Sequence, residues 1–149
     1  MRIAIDLNVL LDVAQKRTPF YPSSEQVMAR ARKGECEAVI PGHLLTTFYY
    51  LLAKHADTAT ASTAVDGLLA DFEIVGADKR VFAHARALPM KDFEDSVVAA
   101  TAAAGACDYI VSRNTADFAG SPVPAITPTD FLALLQAKAG GQAASRGSN

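Results

Sequence analysis

Five short apolar runs set the limits on what this chain can fold into. They cover residues 2–6, 37–41, 72–75, 108–112 and 123–126, and the stretches between them carry apolar residues at helical spacing. Runs this short and this rich in Ile, Val and Ala suit strands buried on both faces. Strands that alternate with helices imply right-handed crossovers and a parallel sheet covered on both sides. The expected class is therefore α/β, a three-layer α/β/α sandwich around a central parallel sheet of about five strands. With 149 residues the chain is long enough for one core. Residues 1–138 are read as a single domain, and the small, polar stretch over residues 139–149 as a disordered tail.

The helices read as follows. One starts at Asn8 and runs to Ala14, and Thr18-Pro19-Phe20-Tyr21-Pro22 interrupts it, because proline lacks a backbone donor. Ser23 or Ser24 is expected to cap the next, which ends at Gly34. Leu44, Leu45, Phe48, Leu51 and Leu52 mark a helix over residues 43–54, and another covers residues 59–72. Asp78 caps a helix to Ala87. A further helix begins at Asp92 and ends with Gly105 at C′, and the last runs from Thr127 or Pro128 to Ala137.

Composition excludes several classes. No apolar run approaches the ~18 residues of a membrane span, so no membrane role is expected, and no signal-peptide pattern opens the chain. Cys36 and Cys107 stand far apart and form no C-x-x-C pair. They read as small buried apolar residues in a reducing cytoplasm rather than as zinc ligands. A net charge of −2 gives no global attraction to nucleic acid. It does not exclude local phosphate binding, since acidic metal sites lower the net charge. There is no glycine-rich phosphate loop, no G-x-S-x-G and no dinucleotide fingerprint.

The informative residues are acidic. Asp6 ends the first apolar run, at the carboxyl edge where open α/β sheets bind ligands. Asp117 follows the strand that ends at Ser112, and a parallel sheet brings that loop beside Asp6. Asp92 and Asp95 are three apart at a helix start and share a face. Carboxylates gathered at one sheet edge suit a divalent cation with hard-oxygen preference, and hence phosphate chemistry. Plainer roles compete: Asp92 as an N-cap, Asp95 as a first-turn acid, and Asp6 as a cap for the Asn8 helix. Asn8, Ser112 and Asn114 offer short polar groups beside these acids, and Arg113 offers a fork for phosphate. His43, His55 and His84 show no ligand spacing and read as packing or surface residues. Tyr49 and Tyr50 suit base stacking, or core or dimer contacts. Arg30, Arg32 and Lys33 read as a solvated helix face.

Together these pieces resemble the PIN-domain family, the fold of VapC-type toxin ribonucleases. The matching segments are Ile5-Asp6-Leu7-Asn8-Val9-Leu10-Leu11-Asp12, Asp92-Phe93-Glu94-Asp95-Ser96, Tyr109-Ile110-Val111-Ser112-Arg113-Asn114 with Asp117-Phe118, and Ala125-Ile126-Thr127-Pro128-Thr129-Asp130-Phe131-Leu132. The resemblance implies a Mg²⁺- or Mn²⁺-dependent endoribonuclease with Asp6, Asp95 and Asp117 as metal ligands. Asp92 would be an extra or supporting acid, and Asn8, Ser112, Arg113 and Asn114 would serve substrate or orient the carboxylates. It also implies RNA as substrate, an antitoxin partner and a homodimer, with the helix over residues 44–52 as part of a partner surface.

One departure stands out. Where many relatives carry a glutamate on the helix after the second strand, this chain has Thr46 and Thr47. Asp92 is expected to supply the missing charge. The alternative is a catalytically degenerate module that binds RNA or protein.

Overall fold

In a computed structural model that describes residues 1–147, five parallel strands form one sheet in the order β3-β2-β1-β4-β5. The strands are β1 (Arg2–Ile5), β2 (Glu37–Pro41), β3 (Glu73–Val75), β4 (Tyr109–Val111) and β5 (Ala125–Ile126). Among the described residues seven α-helices cover the sheet: α1 (Leu7–Ala14), α2 (Tyr21–Arg32), α3 (Leu44–His55), α4 (Thr58–Asp71), α5 (Lys79–Ala87), α6 (Phe93–Ala104) and α7 (Pro128–Gly147). The α/β class, the parallel sheet and its five strands are as the sequence predicts.

Alternation along the strands builds both faces. Ile3, Ile5 and Val111 join a core with residues of α1 to α4 and with Phe131 of α7. Ala4, Val39 and Ile110 face the other way, onto Val98, Ala99 and Ala102 of α6. The small side chains of α6 let that helix lie close to the sheet, which sets its N-terminus near the carboxyl edge. Strand order reverses between β1, which leads to β2 and β3, and β4, which leads to β5. The crevice between the carboxyl ends of β1 and β4 is thus the topological switch point, the usual ligand position in such sheets.

The structure differs from the sequence reading at three helix ends. α2 starts at Tyr21 rather than after Pro22, because proline is tolerated in a first turn whose N–H groups have no intrahelical partner. Neither Ser23 nor Ser24 caps it. Ser24 is buried, and its Oγ donates to Asp12 Oδ2 at 3.3 Å. At the end of α6 the left-handed turn falls on Ala106, with φ of 54°, while Gly105 is the C-cap at φ of −81°. Finally, α7 continues through Gly140 and Gly141 to Gly147, where a disordered tail was expected. Ala139, Gln142, Ala143 and Ala144 favour helix, and two glycines weaken it by only about 1 kcal/mol each. Residues 148–149 lie outside the described residues.

α3 also turns its apolar stripe inward. Leu44, Phe48 and Leu52 are buried, which removes them from any partner surface, while Tyr49 and Tyr50 are exposed. No helix among the described residues is long and apolar enough to cross a membrane. Both cysteines are free, Cys36 buried and Cys107 partly so.

Candidate functional site

Asp6 sits one residue beyond β1 and caps α1. Its backbone is extended, and its Oδ1 accepts the Leu7 N–H at 2.8 Å. Its Oδ2 accepts the Ser112 hydroxyl at 2.8 Å, a contact across the switch point between residues 106 apart. Asn8 braces the same pair. Its Nδ2 lies 3.2 Å from Ser112 Oγ and 3.5 Å from Asp6 Oδ2, and its Oδ1 accepts the Arg113 N–H at 3.3 Å. Ser112 Oγ accepts the Asn114 N–H in turn. With Ser112 wholly buried and Asn8 bonded at both ends, Ser112 and Asn8 orient Asp6 and the loop after β4. Asn114 starts the 3₁₀ turn Thr115–Phe118 that carries Asp117.

That turn is held against the loop before α6. Gly120 adopts φ of +88°, and a Cβ there would come within 2.9 Å of the Pro89 carbonyl oxygen. Only glycine meets both demands, the positive φ and the close approach. The result is a hollow of about 330 Å³ lined by Pro89, Lys91, Asp92, Asp95, Ala116, Asp117 and Ala119. A larger depression lined by Gln15, Arg17, Leu51, Lys54 and His55 holds none of the predicted acids.

Asp92, Asp95 and Asp117 therefore share a wall. Asp92 is the N-cap of α6, its Oδ1 accepting the Asp95 N–H at 2.9 Å, so the capping reading of Asp92 holds. Burial, followed by Asp6, Asp92, Asp117 and Glu94, pushes the Asp95 carboxyl up to about 7. Asp6 is also raised, by burial first and then by Asp117, against the lowering effect of the Ser112 and Leu7 hydrogen bonds and of Arg113. Asp6 and Asp95 are thus both disfavoured as anions, by burial and by carboxylates from other segments, which favours a compensating cation.

Sequence reasoning missed Glu94. Burial, then Asp92 and Asp6, raise its carboxyl, and the Thr47 side chain opposes the shift. Thr47 thus meets, from α3, an acid supplied by α6. The His43 ring, one turn earlier on the same helix face, lies against the Glu94 backbone, and burial lowers its basicity. Neither ring nitrogen makes a hydrogen bond of acceptable geometry. The available signal was three acids within Asp92-Phe93-Glu94-Asp95.

Arg113 departs from expectation. Its Nε donates to Asp12 Oδ2 at 2.7 Å, and its guanidinium stacks over Phe20, 3.9 Å from the ring centroid. Asp12 is fully buried and its Oδ1 has no partner. The side chain read as a phosphate contact thus holds a buried carboxylate on α1 through its Nε.

Among the described residues no three Asp, Glu, His or Cys side chains are disposed to hold a metal ion as they stand. The donor chemistry nonetheless fits a hard divalent cation, since Asp92, Asp95 and Asp117 line one hollow and offer carboxylate oxygens.

A parallel α/β domain with an acid-rich pocket at its switch point is the class that fold and site define. The chain belongs to the PIN-domain family, whose model matches residues 2–116. No curated protein matches it by sequence. Its fold is similar to VapBC2 from Rickettsia felis bound to a DNA fragment from its promoter, with a TM-score of 0.68 and 16% identity over 85% of this chain and 98% of that one. DNA-bound VapBC from Salmonella typhimurium is similar at a TM-score of 0.66 and 14% identity, over 86% and 98% of the two chains. VapC20 of Mycobacterium tuberculosis, a sarcin-ricin-loop-cleaving toxin, follows at 0.61 and 12%, over 72% and 86%.

Proposed function

We propose that this protein is a Mg²⁺- or Mn²⁺-dependent endoribonuclease, the toxin of a toxin–antitoxin pair acting in the cytoplasm. The observation that carries the reading is the hollow that brings Asp92 and Asp95 of α6 together with Asp117 of the loop after β4, with Asp6 close enough to raise Asp95. Asp6, Asp95 and Asp117 would hold the cation, with Asp92 and Glu94 beside them. Bound there, the ion would supply Lewis acidity and charge neutralisation for phosphodiester hydrolysis. Ser112 and Asn8 fix the rotamer of Asp6 by hydrogen bonds, so its carboxylate is oriented before any ligand arrives. Asp92 fixes the first turn of α6 and so the height of Asp95. An antitoxin partner is supported by the toxin–antitoxin complexes among the similar folds, including one from Klebsiella pneumoniae. Tyr49 and Tyr50 are the large hydrophobic residues that α3 leaves exposed for a homodimer or antitoxin contact.

The test is cleavage of a mixed RNA pool. Cleavage is expected with Mn²⁺, is lost in EDTA and is lost in Asp6→Asn. Equal residual cleavage by wild type and Asp6→Asn would overturn the reading in favour of a degenerate binding module, the alternative that Thr46 and Thr47 favour.

Glu94 adds a second measurement. If Glu94 replaces the acid that α3 lacks, Glu94→Gln should weaken Mn²⁺ binding in calorimetry by roughly tenfold, the lower end of what supporting groups contribute. Thr47→Val should do the same more weakly. An unchanged Mn²⁺ affinity in Glu94→Gln would return the compensating role to Asp92.

A further inference from the structure

We propose that Lys91 holds the phosphate backbone of the RNA substrate at the mouth of the acidic hollow. The inference rests on the nuclease reading and names a substrate-binding residue that reading leaves open. A site built from five carboxylates repels a polyanion, and a single divalent ion offsets only part of that charge. The chain therefore needs a cation of its own here. Arg113 was the sequence candidate, but its guanidinium is committed to Asp12 and Phe20. Arg86 is drawn off over the Phe93 ring at 5.9 Å. Of the seven residues lining the hollow, Lys91 is the one cation.

Its surroundings argue against a purely structural role. Three aspartates line the same hollow, yet Lys91 makes no ion pair or hydrogen bond with any described residue. All three ammonium donors thus remain open to a ligand. Lys91 also directly precedes Asp92, the N-cap of α6. A positive charge at the positive end of a helix dipole is unfavourable, so helix stability does not explain it. A lysine is a point charge on a flexible stem, suited to phosphate oxygens without reading the base. Lys91 is accordingly expected to serve affinity for RNA of any sequence.

The experiment measures binding of a short, labelled, single-stranded RNA of mixed sequence across a series of salt concentrations, for wild type, Lys91→Gln and Lys91→Arg. Lys91→Gln should bind about tenfold more weakly, and its log–log salt slope should shrink by about 0.7, the share of one phosphate contact on a single strand. Lys91→Arg should keep both. Calorimetric Mn²⁺ affinity should be equal or higher in Lys91→Gln, since a nearby cation has been removed. An unchanged salt slope in Lys91→Gln, with wild type binding RNA, overturns the role of Lys91 and leaves the nuclease reading standing. A wild-type protein that binds no RNA under any condition overturns both.

Discussion

Replacing Arg113 with methionine should cost about 3–5 kcal/mol and lower the thermal midpoint by roughly 10 °C. The reason is the exposure of the two partners. Asp12 is 0% exposed on α1 and cannot reach water, so loss of Arg113 strands a carboxylate with one oxygen already unpartnered. Among the described residues Ser24, at 3.3 Å, is the one remaining side-chain donor to it. The reverse change is milder. The Arg113 side chain is 22% exposed and can swing outward when Asp12 is removed, so Asp12→Leu alone should lose less. Combining Asp12→Leu with Arg113→Met should recover most of the stability, because apolar groups of similar volume replace a buried pair at little net cost. The four proteins form a double-mutant cycle, read by chemical or thermal unfolding. Additive losses would show that the pair does not hold α1 to the loop after β4. RNA binding supplies an independent check: with Arg113 turned inward, its loss should leave the salt slope unchanged, whereas a phosphate fork would reduce it.

That pair also shows where sequence reading stops. The strand centres, the parallel sheet and the placement of Asp6 and Asp117 were legible, because burial on both faces writes a continuous apolar run and parallel topology dictates one carboxyl edge. Asp92 and Asp95 were legible as a helix start. The partners of polar side chains were not. Arg113 looked like a ligand because its neighbours Ser112 and Asn114 are loop residues at a strand end. The carboxylate that claims it lies 101 residues away in sequence, on α1. Ser24 looked like a cap for the same reason. Glu94 was hidden between two better-placed aspartates, and the influence of Thr47 on it spans residues far apart in sequence. The left-handed turn at Ala106 was misplaced by one residue because glycine is preferred there but not required.

Asp95→Asn should move stability and activity in opposite directions. Burial and four neighbouring carboxylates push Asp95 up to about 7 in the folded, metal-free protein, against an ordinary aspartate in the unfolded chain. Over that window the folded state holds more protons than the unfolded state, so stability in EDTA should fall as pH rises from about 4 to about 7 and flatten above. Solvent screening at a half-exposed group leaves this at about 1–2 kcal/mol, a fraction of the unscreened limit of ~4 kcal/mol. Asparagine carries no charge to repel, so the variant should lose that pH slope and melt a few degrees higher than wild type near pH 7.5 in EDTA. Mn²⁺ should stabilise wild type at that pH by mass action and stabilise the variant far less. Cleavage should fall about 100-fold or more, the worth of a few kcal/mol of lost charge stabilisation. A variant that is less stable than wild type in EDTA at pH 7.5 would mean that Asp95 is satisfied by protein groups rather than held against repulsion. The strain among these acids, and with it the case for a cation between them, would then be absent.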